Sequence, residues 1–305
     1  MTHRSANASL LACLVVSALA VGGCEVNLNS EGIVSLETKI YKVGAMPELQ
    51  LDTFEGSIEV HSWDRAEVEI EIEKRAMEQG LVDEIKVSAE QQGDTIIVKV
   101  TGPPARDFDG VQIGASFSPS ARLRVAIPRN SHLTARSGEG SITVEDINGK
   151  INLTTADGSV RASRLGGEIM VRSGDGSIRI DRAEGKLDLE TEDGSITLEA
   201  KPSVLRARTS DGSMRMEIEP DSAMSADWDL QTADGSVTLT LPTTFNGELD
   251  AETRDGVVRA TYSGVKAELR PDGDREERRR ILKATLGSGG RTIRIRSGDG
   301  RIRIE

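Results

Sequence analysis

Apolar and polar residues alternate strictly in short segments that recur through the second half of the chain. In one such segment Ile178 and Ile180 flank Arg179, and after a glycine turn Leu187 and Leu189 repeat the pattern. Alternation with a period of two residues is typical of a strand with one buried face. Each unit is therefore predicted to contain two short strands separated by two turns.

These units follow one another with a fixed period of 18 residues. A turn motif marks each unit: Ser or Thr, a variable residue, Asp or Glu, Gly, Ser and an apolar residue. Its glycine recurs at Gly140, Gly158, Gly176, Gly194 and Gly212. A fixed short period indicates a repeat architecture, in which stacked coils join the apolar pairs into continuous columns. The sequence predicts an all-β fold, a β-solenoid of 18-residue coils. Asp-Gly turns also suit hairpins, so an antiparallel β-sandwich or meander is the alternative.

The motif also occurs outside the regular block. Gly235, Gly256 and Gly300 follow at spacings of 23, 21 and 44 residues, and an early copy at Gly56 lies 84 residues before Gly140. The motif position is expected to require glycine because its backbone adopts a positive φ angle. The hydroxyl three residues before it is expected to bond a turn amide or to stack on its equivalents in neighbouring coils.

The chain divides into four predicted segments. Residues 1–23 form a signal peptide, 24–34 a tether, 35–132 a β-rich N-terminal cap and 133–305 the repeat solenoid. A solenoid needs such a cap because its terminal edge would otherwise expose unpaired backbone groups.

Three irregular stretches are also predicted. Residues 76–86 include a short helix, residues 102–120 form a loop, and the charged residues 270–280 form an exposed loop or a surface helix.

The N-terminus has the pattern of an export signal. A positive start is followed by an apolar core over residues 10–21 that is too short to span a membrane as a helix. The small residues directly before Cys24 resemble the lipobox of bacterial lipoproteins. That resemblance implies cleavage after Gly23 and acylation of Cys24, whereas an ordinary signal peptide with a chance cysteine is the alternative.

The remaining cysteine, Cys13, lies within the predicted signal, so the mature chain has no internal disulfide. Residue 25 is Glu, whereas Asp at this position favours retention of enterobacterial lipoproteins at the inner membrane. The outer membrane or the cell surface is therefore favoured, and a periplasm-facing position is the alternative.

Composition narrows the classes of function. The formal charge of −12 argues against nucleic acid as a partner, because nucleic-acid binding needs a basic surface. Aromatic residues make up 3% of the chain and glycines number 31, which favours thin coils over an enzyme with a deep pocket.

Three stretches resemble a bacterial putative-adhesin family of β-strand repeats, a domain of unknown function. They are residues 51–64, residues 124–128 before the repeats, and the recurrent Asp-Gly-Ser-Ile/Val motif. The resemblance covers residues 35–305. It implies a β-solenoid, an exported or membrane-attached setting, and no established catalytic residues.

The turn acids are one candidate site. In a parallel stack they would lie above one another, where a ladder of carboxylates could recruit Ca²⁺. The alternative is that Asp is simply favoured before a turn glycine and points into water. These acids are Glu139, Asp157, Asp175, Asp193, Asp211, Asp234 and Asp255.

A second candidate is the column of residues three positions after the motif glycine. It consists of Thr143, Arg161, Arg179, Thr197, Arg215, Thr238, Arg259 and Arg303. An acidic column follows two residues later. The arginines could bind an anionic glycan or lipopolysaccharide, and the candidate ligand residues are Arg161, Arg179, Arg215 and Arg259. The alternative is that the two columns neutralise each other on a solvated face.

Catalysis has little support from the sequence. No pair of carboxylates stands apart from the repeat as a general acid and base, and no nucleophile signature, phosphate loop or clustered metal-ligand motif occurs. No catalytic residue, metal or cofactor is therefore predicted. The leading interpretation is a non-enzymatic cell-envelope lipoprotein that binds a glycan, an envelope component or a protein. A polysaccharide-acting β-helix enzyme and a structural spacer without ligand are the alternatives.

Overall fold

The computed structural model describes residues 26–29, 32–104, 118–262, 268–272 and 279–305, and these are almost entirely β-structure. The predicted signal peptide, Cys24 and residues 105–117 of the predicted loop lie outside the described residues.

The strands and the single described helix have the following bounds: β1 Val26–Asn29, β2 Gly32–Lys42, β3 Glu48–Thr53, β4 Ile58–Trp63, β5 Glu67–Ala76, α1 Gln79–Glu84, β6 Lys86–Gln92, β7 Thr95–Thr101, β8 Ser120–Pro128, β9 His132–Ser137, β10 Ile142–Glu145, β11 Asn148–Thr155, β12 Val160–Ser163, β13 Gly166–Ser173, β14 Ile178–Thr191, β15 Ile196–Thr209, β16 Met214–Ile218, β17 Trp228–Thr232, β18 Val237–Thr240, β19 Gly247–Thr253, β20 Val258–Ala260, β21 Glu268–Asp272, β22 Arg279–Leu286, β23 Thr292–Ser297 and β24 Ile302–Ile304. The short helix expected within residues 76–86 is confirmed as α1. No helix among these elements is long and apolar enough to cross a membrane, in the part of the chain that is described.

The coils form two faces, each a ladder of mostly parallel strands. The first sheet has the order β1-β2-β5-β8-β4-β10-β12-β14-β15-β16-β18-β24-β20. The second has the order β6-β7-β3-β9-β11-β13-β14-β15-β17-β23-β19-β22-β21. Strands β14 and β15 belong to both, because each bends from one face to the other. Parallel stacking of successive coils confirms the β-solenoid rather than the antiparallel alternative.

Between the two faces the apolar columns form one continuous core. Ile142, Val160, Ile178 and Ile196 are in register on adjacent strands, and each is at most 1% exposed. The chain turns from the first face to the second through a left-handed residue, such as Arg182 with φ 58°. The inward and outward positions follow the alternation in the sequence.

The motif glycine has a different role from the one expected. Apart from Gly56, the motif glycines in the described turns do not have positive φ. Instead, a β-carbon on Gly176 would overlap the carbonyl oxygen of Gly158 in the coil below, and the same holds along the stack. Positive φ occurs at the second turn, for example at Gly185 with 120°. Close approach of successive coils is therefore what requires glycine in the Asp-Gly motif.

The recurrent hydroxyl forms a buried hydrogen-bond ladder, as expected for a group that bonds a turn amide. The Thr209 hydroxyl accepts a bond of 3.1 Å from the amide of Gly212 and donates one of 3.0 Å to the carbonyl of Gly194. The equivalents from Thr53 to Ser297 are all buried. Seven of the nine hydroxyls thus close their own turn, and all nine donate to a carbonyl of the neighbouring coil.

Strand pairing runs across the expected boundary at residue 132. Strands β3 and β4, which flank the early motif copy, pair in parallel with β9 and β10 of the first regular coil. Strands β7 and β8 form a further coil beneath them. The covering strands at this end are β5 and β6, which are antiparallel to that last coil.

The C-terminal coil lies inside the stack instead of at its end. Strand β23 pairs with both β17 and β19, and β24 pairs with both β18 and β20. Strand β22 is antiparallel to β19 and covers it, and β21 pairs with β22. The expectation of a loop or helix over residues 270–280 was therefore wrong for the residues that belong to β21 and β22, because their backbones join the second sheet.

Candidate functional site

The four arginines predicted from the sequence lie in one column on the outer face of the first sheet. Arg161 is opposite Arg179 on the neighbouring strand, and Arg259 is opposite Arg303. All five arginines of the column in the repeats are exposed. In stack order the column is Arg124, Glu59, Thr143, Arg161, Arg179, Thr197, Arg215, Thr238, Arg303 and Arg259. We call the part from Arg161 to Arg259 the arginine column.

The N-terminal end of the same face is neutralised by its own carboxylates. Arg124 contacts Glu71 at 2.6 Å, and Glu59 and Glu73 at 3.6 Å each. The hydrogen bond to Glu71, opposed in part by burial and supported by the nearby charges, raises the pKa of Arg124. The guanidinium of Arg124 is therefore paired with carboxylates of this chain.

The outer face of the second sheet also pairs its charges. Arg296 contacts Asp250 at 3.1 Å and Glu252 at 3.3 Å, and Arg294 contacts Asp227 at 3.1 Å. Acidic and basic residues alternate from strand to strand there, which places opposite charges side by side.

The arginine column differs from both of these surfaces. Arg179 contacts Asp181 at 3.1 Å. Among the described residues, no carboxylate oxygen lies within 4.0 Å of the guanidinium nitrogens of Arg161, Arg215, Arg259 or Arg303. Mutual neutralisation, the alternative weighed from the sequence, therefore accounts for one arginine of the five.

Like charges also lie directly opposite each other in this column. The pairs Arg161–Arg179 and Arg303–Arg259 occupy adjacent strands at about 4.8 Å spacing. Opposed like charges on neighbouring strands are destabilising. A bound anion would remove that cost, whereas water alone only screens it.

The turn acids form a second, parallel column at the edge between the two faces. In stack order it contains Glu55, Glu139, Asp157, Asp175, Asp193, Asp211, Asp234, Asp299 and Asp255. Burial and, less strongly, the charge of Glu139 raise the pKa of Glu55. Within the described chain no group of three or more His, Cys, Asp or Glu side chains is arranged to hold a metal ion.

A depression among the described residues follows this edge on the side of the second sheet. Its floor consists of small residues, among them Ser210, Ala233 and Gly298. The carboxylate of Glu252 on its wall contacts Arg296. The depression is thus polar, with acidic and basic groups interleaved along its rim.

Two features of the site were not predicted from the sequence. Arg303 becomes the neighbour of Arg259 because the last coil enters the stack before β20, an order that spacing along the chain does not reveal. Arg301 projects from the same coil at a position where the other copies have Ser or Val, and this departure from the motif was the available signal.

Comparison with known proteins supports the architecture. The family model described as Toastrack DUF4097 matches residues 46–305. No curated protein matches the chain.

Solved structures that match the chain include a putative adhesin from Bacteroides fragilis, with 13% identity, a TM-score of 0.45 and coverage of 88% of this chain and 97% of that one. A putative lipid binding protein from Parabacteroides distasonis has 11% identity, a TM-score of 0.40 and coverage of 88% and 96%. A putative cell adhesion protein from Clostridium sporogenes has 12% identity, a TM-score of 0.26 and coverage of 88% and 98%.

Proposed function

Because this chain belongs to the Toastrack DUF4097 family, a group of β-solenoid-like domains, we propose that it is a non-enzymatic, adhesin-like envelope module that binds an extended anionic glycan along the arginine column. The observation that carries this proposal is the contrast in charge pairing. Most described arginines elsewhere on the two faces contact carboxylates, with Arg136 and Arg301 among the exceptions, whereas four of the five in the column do not.

The shape of the charged surface favours a narrow polymer. The column is a single residue wide and extends over about six strand spacings, or roughly 29 Å. Carboxylates border it on both sides, in the turn acids and in the residues that include Glu199 and Glu217. A broad anionic surface or a duplex would meet these acids, while one extended chain would contact only the arginines and the threonines between them.

Anchoring of the module is a second part of the proposal. The lipobox-like residues before Cys24 support acylation of that cysteine, and β1 begins two residues later, at Val26. An acyl chain there holds the β1 end of the first sheet at the membrane and leaves the arginine column in the other half of the stack. Cys24→Ser should move the protein from the membrane fraction to the soluble fraction; unchanged fractionation would refute the anchor.

The binding test uses dextran sulfate, with uncharged dextran as the matched polymer. The triple variant Arg161→Thr, Arg179→Thr, Arg215→Thr introduces the residue that other coils have at this position, so the fold is retained. We expect saturable binding of dextran sulfate by the wild type that weakens with salt, and a loss of about tenfold or more in the triple variant.

Arg206→Thr combined with Arg208→Thr on the second sheet is the control, because these arginines have acidic neighbours at 3.9 Å and 3.6 Å. Equal losses in the two variants would show a nonspecific charge effect and refute the arginine column as the binding face.

A further inference from the structure

Arg301 occupies a motif position that is serine in most other copies. The residue directly after the motif glycine is serine in seven other copies: Ser57, Ser141, Ser159, Ser177, Ser195, Ser213 and Ser236. In the last coil this position is Arg301, and the side chain is exposed. A small turn residue has thus been replaced by a long cation at one place in the stack.

The fold brings this residue beside two members of the arginine column. The amide of Val237 donates to the carbonyl of Arg301 at 2.9 Å, and the amide of Ile302 donates to the carbonyl of Val257 at 2.9 Å. The strand of Arg301 is therefore held between two others. Arg303 follows two residues later on the same face and lies opposite Arg259.

These groups surround a shallow depression formed by three separate segments of the chain. Its lining includes the hydroxyls of Ser236 and Thr238 as well as Arg301 and Arg303. Gly300 and Gly256 leave its floor open, because neither has a side chain. Arg259 stands at its border, in register with Arg303.

The three arginines are not satisfied by the protein. Asp234, Asp255 and Asp299 line the turn side of the depression. Yet no carboxylate of the described residues lies within 4.0 Å of the guanidinium groups of Arg301, Arg303 or Arg259. Two like charges on one strand and a third on the adjacent strand raise the free energy of the protein without ligand, and a small anion between them would lower it.

We propose that Arg301, Arg303 and Arg259 form a site for a tetrahedral oxyanion ester, a sulfate or phosphate group attached to the glycan. This inference rests on the proposed function and names the chemical group that the ligand carries. Each guanidinium presents several N–H donors in a rigid fork that matches such oxyanions. A phosphate or sulfate ester offers three acceptor oxygens, which suits donors that converge from two strands, whereas a carboxylate offers two in one plane.

The test is isothermal titration of the full chain with glucose 6-phosphate and glucose 6-sulfate. Inorganic phosphate distinguishes the free ion from the ester, and glucuronate provides a planar carboxylate on a similar sugar. Arg301→Ser restores the residue of seven other coils, so it is expected to fold. Arg254→Ser, at an exposed turn position where another coil has Ser210, is the matched control.

We expect one or both esters to bind, glucuronate to bind at least about tenfold more weakly, and Arg301→Ser to lose about tenfold in affinity, equivalent to about 1.4 kcal/mol. Arg254→Ser should bind the esters as the wild type does. Binding of inorganic phosphate with no preference for the esters, equal binding of glucuronate, no loss in Arg301→Ser, or no binding of either ester would each overturn the site.

A different result would refute the proposed function without refuting the ester site. Loss of dextran sulfate binding in Arg301→Ser but not in the triple variant would refute the extended column and leave the ester site standing.

Discussion

The hydroxyl ladder makes a sharp prediction at Thr209, whose side chain is 6% exposed in the middle of the stack. Thr209→Val keeps the shape of the side chain but removes the hydroxyl. The amide of Gly212 then loses its acceptor at 3.1 Å, and the carbonyls of Gly194 and Glu192 lose the donor that they share, at 3.0 Å each. Since valine fills the same space, the change isolates hydrogen bonding from packing.

The magnitude follows from one accepted bond and one donated bond that two carbonyls share. Each contributes about 0.5–1.5 kcal/mol net, and a buried donor left without a partner costs about 1–3 kcal/mol. We expect Thr209→Val to lower the free energy of unfolding by about 2–4 kcal/mol. Thr209→Ser is the matched control, because Ser173 performs the same role in another coil. The serine variant loses one methyl group and should cost about 0.8 kcal/mol or less.

The assay is urea denaturation followed by tryptophan fluorescence in a Trp63→Phe background. Trp228 then remains as the reporter; it is fully buried in β17, whose Thr232 is directly opposite Thr209. Local loosening of these coils is therefore detected even where a repeat stack does not unfold in one step. If the valine and serine variants unfold at the same urea concentration, the ladder does not stabilise the stack and the reasoning is wrong.

Other changes test packing, spacing and charge. Ile178→Asp should destabilise by several kcal/mol because it buries a charge at a site that is 1% exposed, whereas Arg179→Asp on the outer face should not; equal effects in thermal denaturation would contradict the assigned faces. Gly176→Ala should cost about 2–3 kcal/mol through overlap with the coil below, and wild-type stability would show that the coils can separate. The amide of Thr292 and, less strongly, the charge of Arg294 lower the pKa of Asp227. This carboxylate therefore stabilises the fold at pH values above its ordinary pKa of about 3.9, and the stabilisation is lost as the pH falls through its pKa in the folded protein. Asp227→Asn should therefore be less stable than wild type near neutral pH, and the difference should close in acid; a difference that does not change with pH would exclude the charge as its cause.

Much of the regular stack could be predicted, because equivalent positions in a solenoid repeat the same chemistry. The period of 18 residues placed Ile178 inward and Arg179 outward, and both positions are as expected. The buried hydroxyl was also predictable, since a small polar group recurs at a fixed distance from the turn glycine. These features depend on contacts between adjacent coils, and the residues in contact are one period apart in the sequence.

The order of the coils could not be read in the same way. The early motif at Gly56 stacks on Gly140, and Gly300 stacks between Gly235 and Gly256. The entropy cost of closing a loop grows only slowly with its length, so the spacing between two motif copies does not determine whether they stack on each other. The role of the motif glycine was missed for a related reason: the group that excludes a β-carbon belongs to another coil and not to the local turn.

The internal position of β23 and β24 makes the stack depend on strands that come late in the sequence. Synthesis delivers β19 to β22 before β23 and β24, yet the stack needs the final two strands between layers that are already made. A polypeptide released before residue 292 would lack an internal layer, and β20 would lose its only strand partner among the described elements. Such a product would present unpaired backbone and the apolar side chains of β18 and β20, which proteases and chaperones engage in incompletely folded proteins. A copy without β23 and β24 is therefore expected to be more sensitive to protease than one in which both strands are in place.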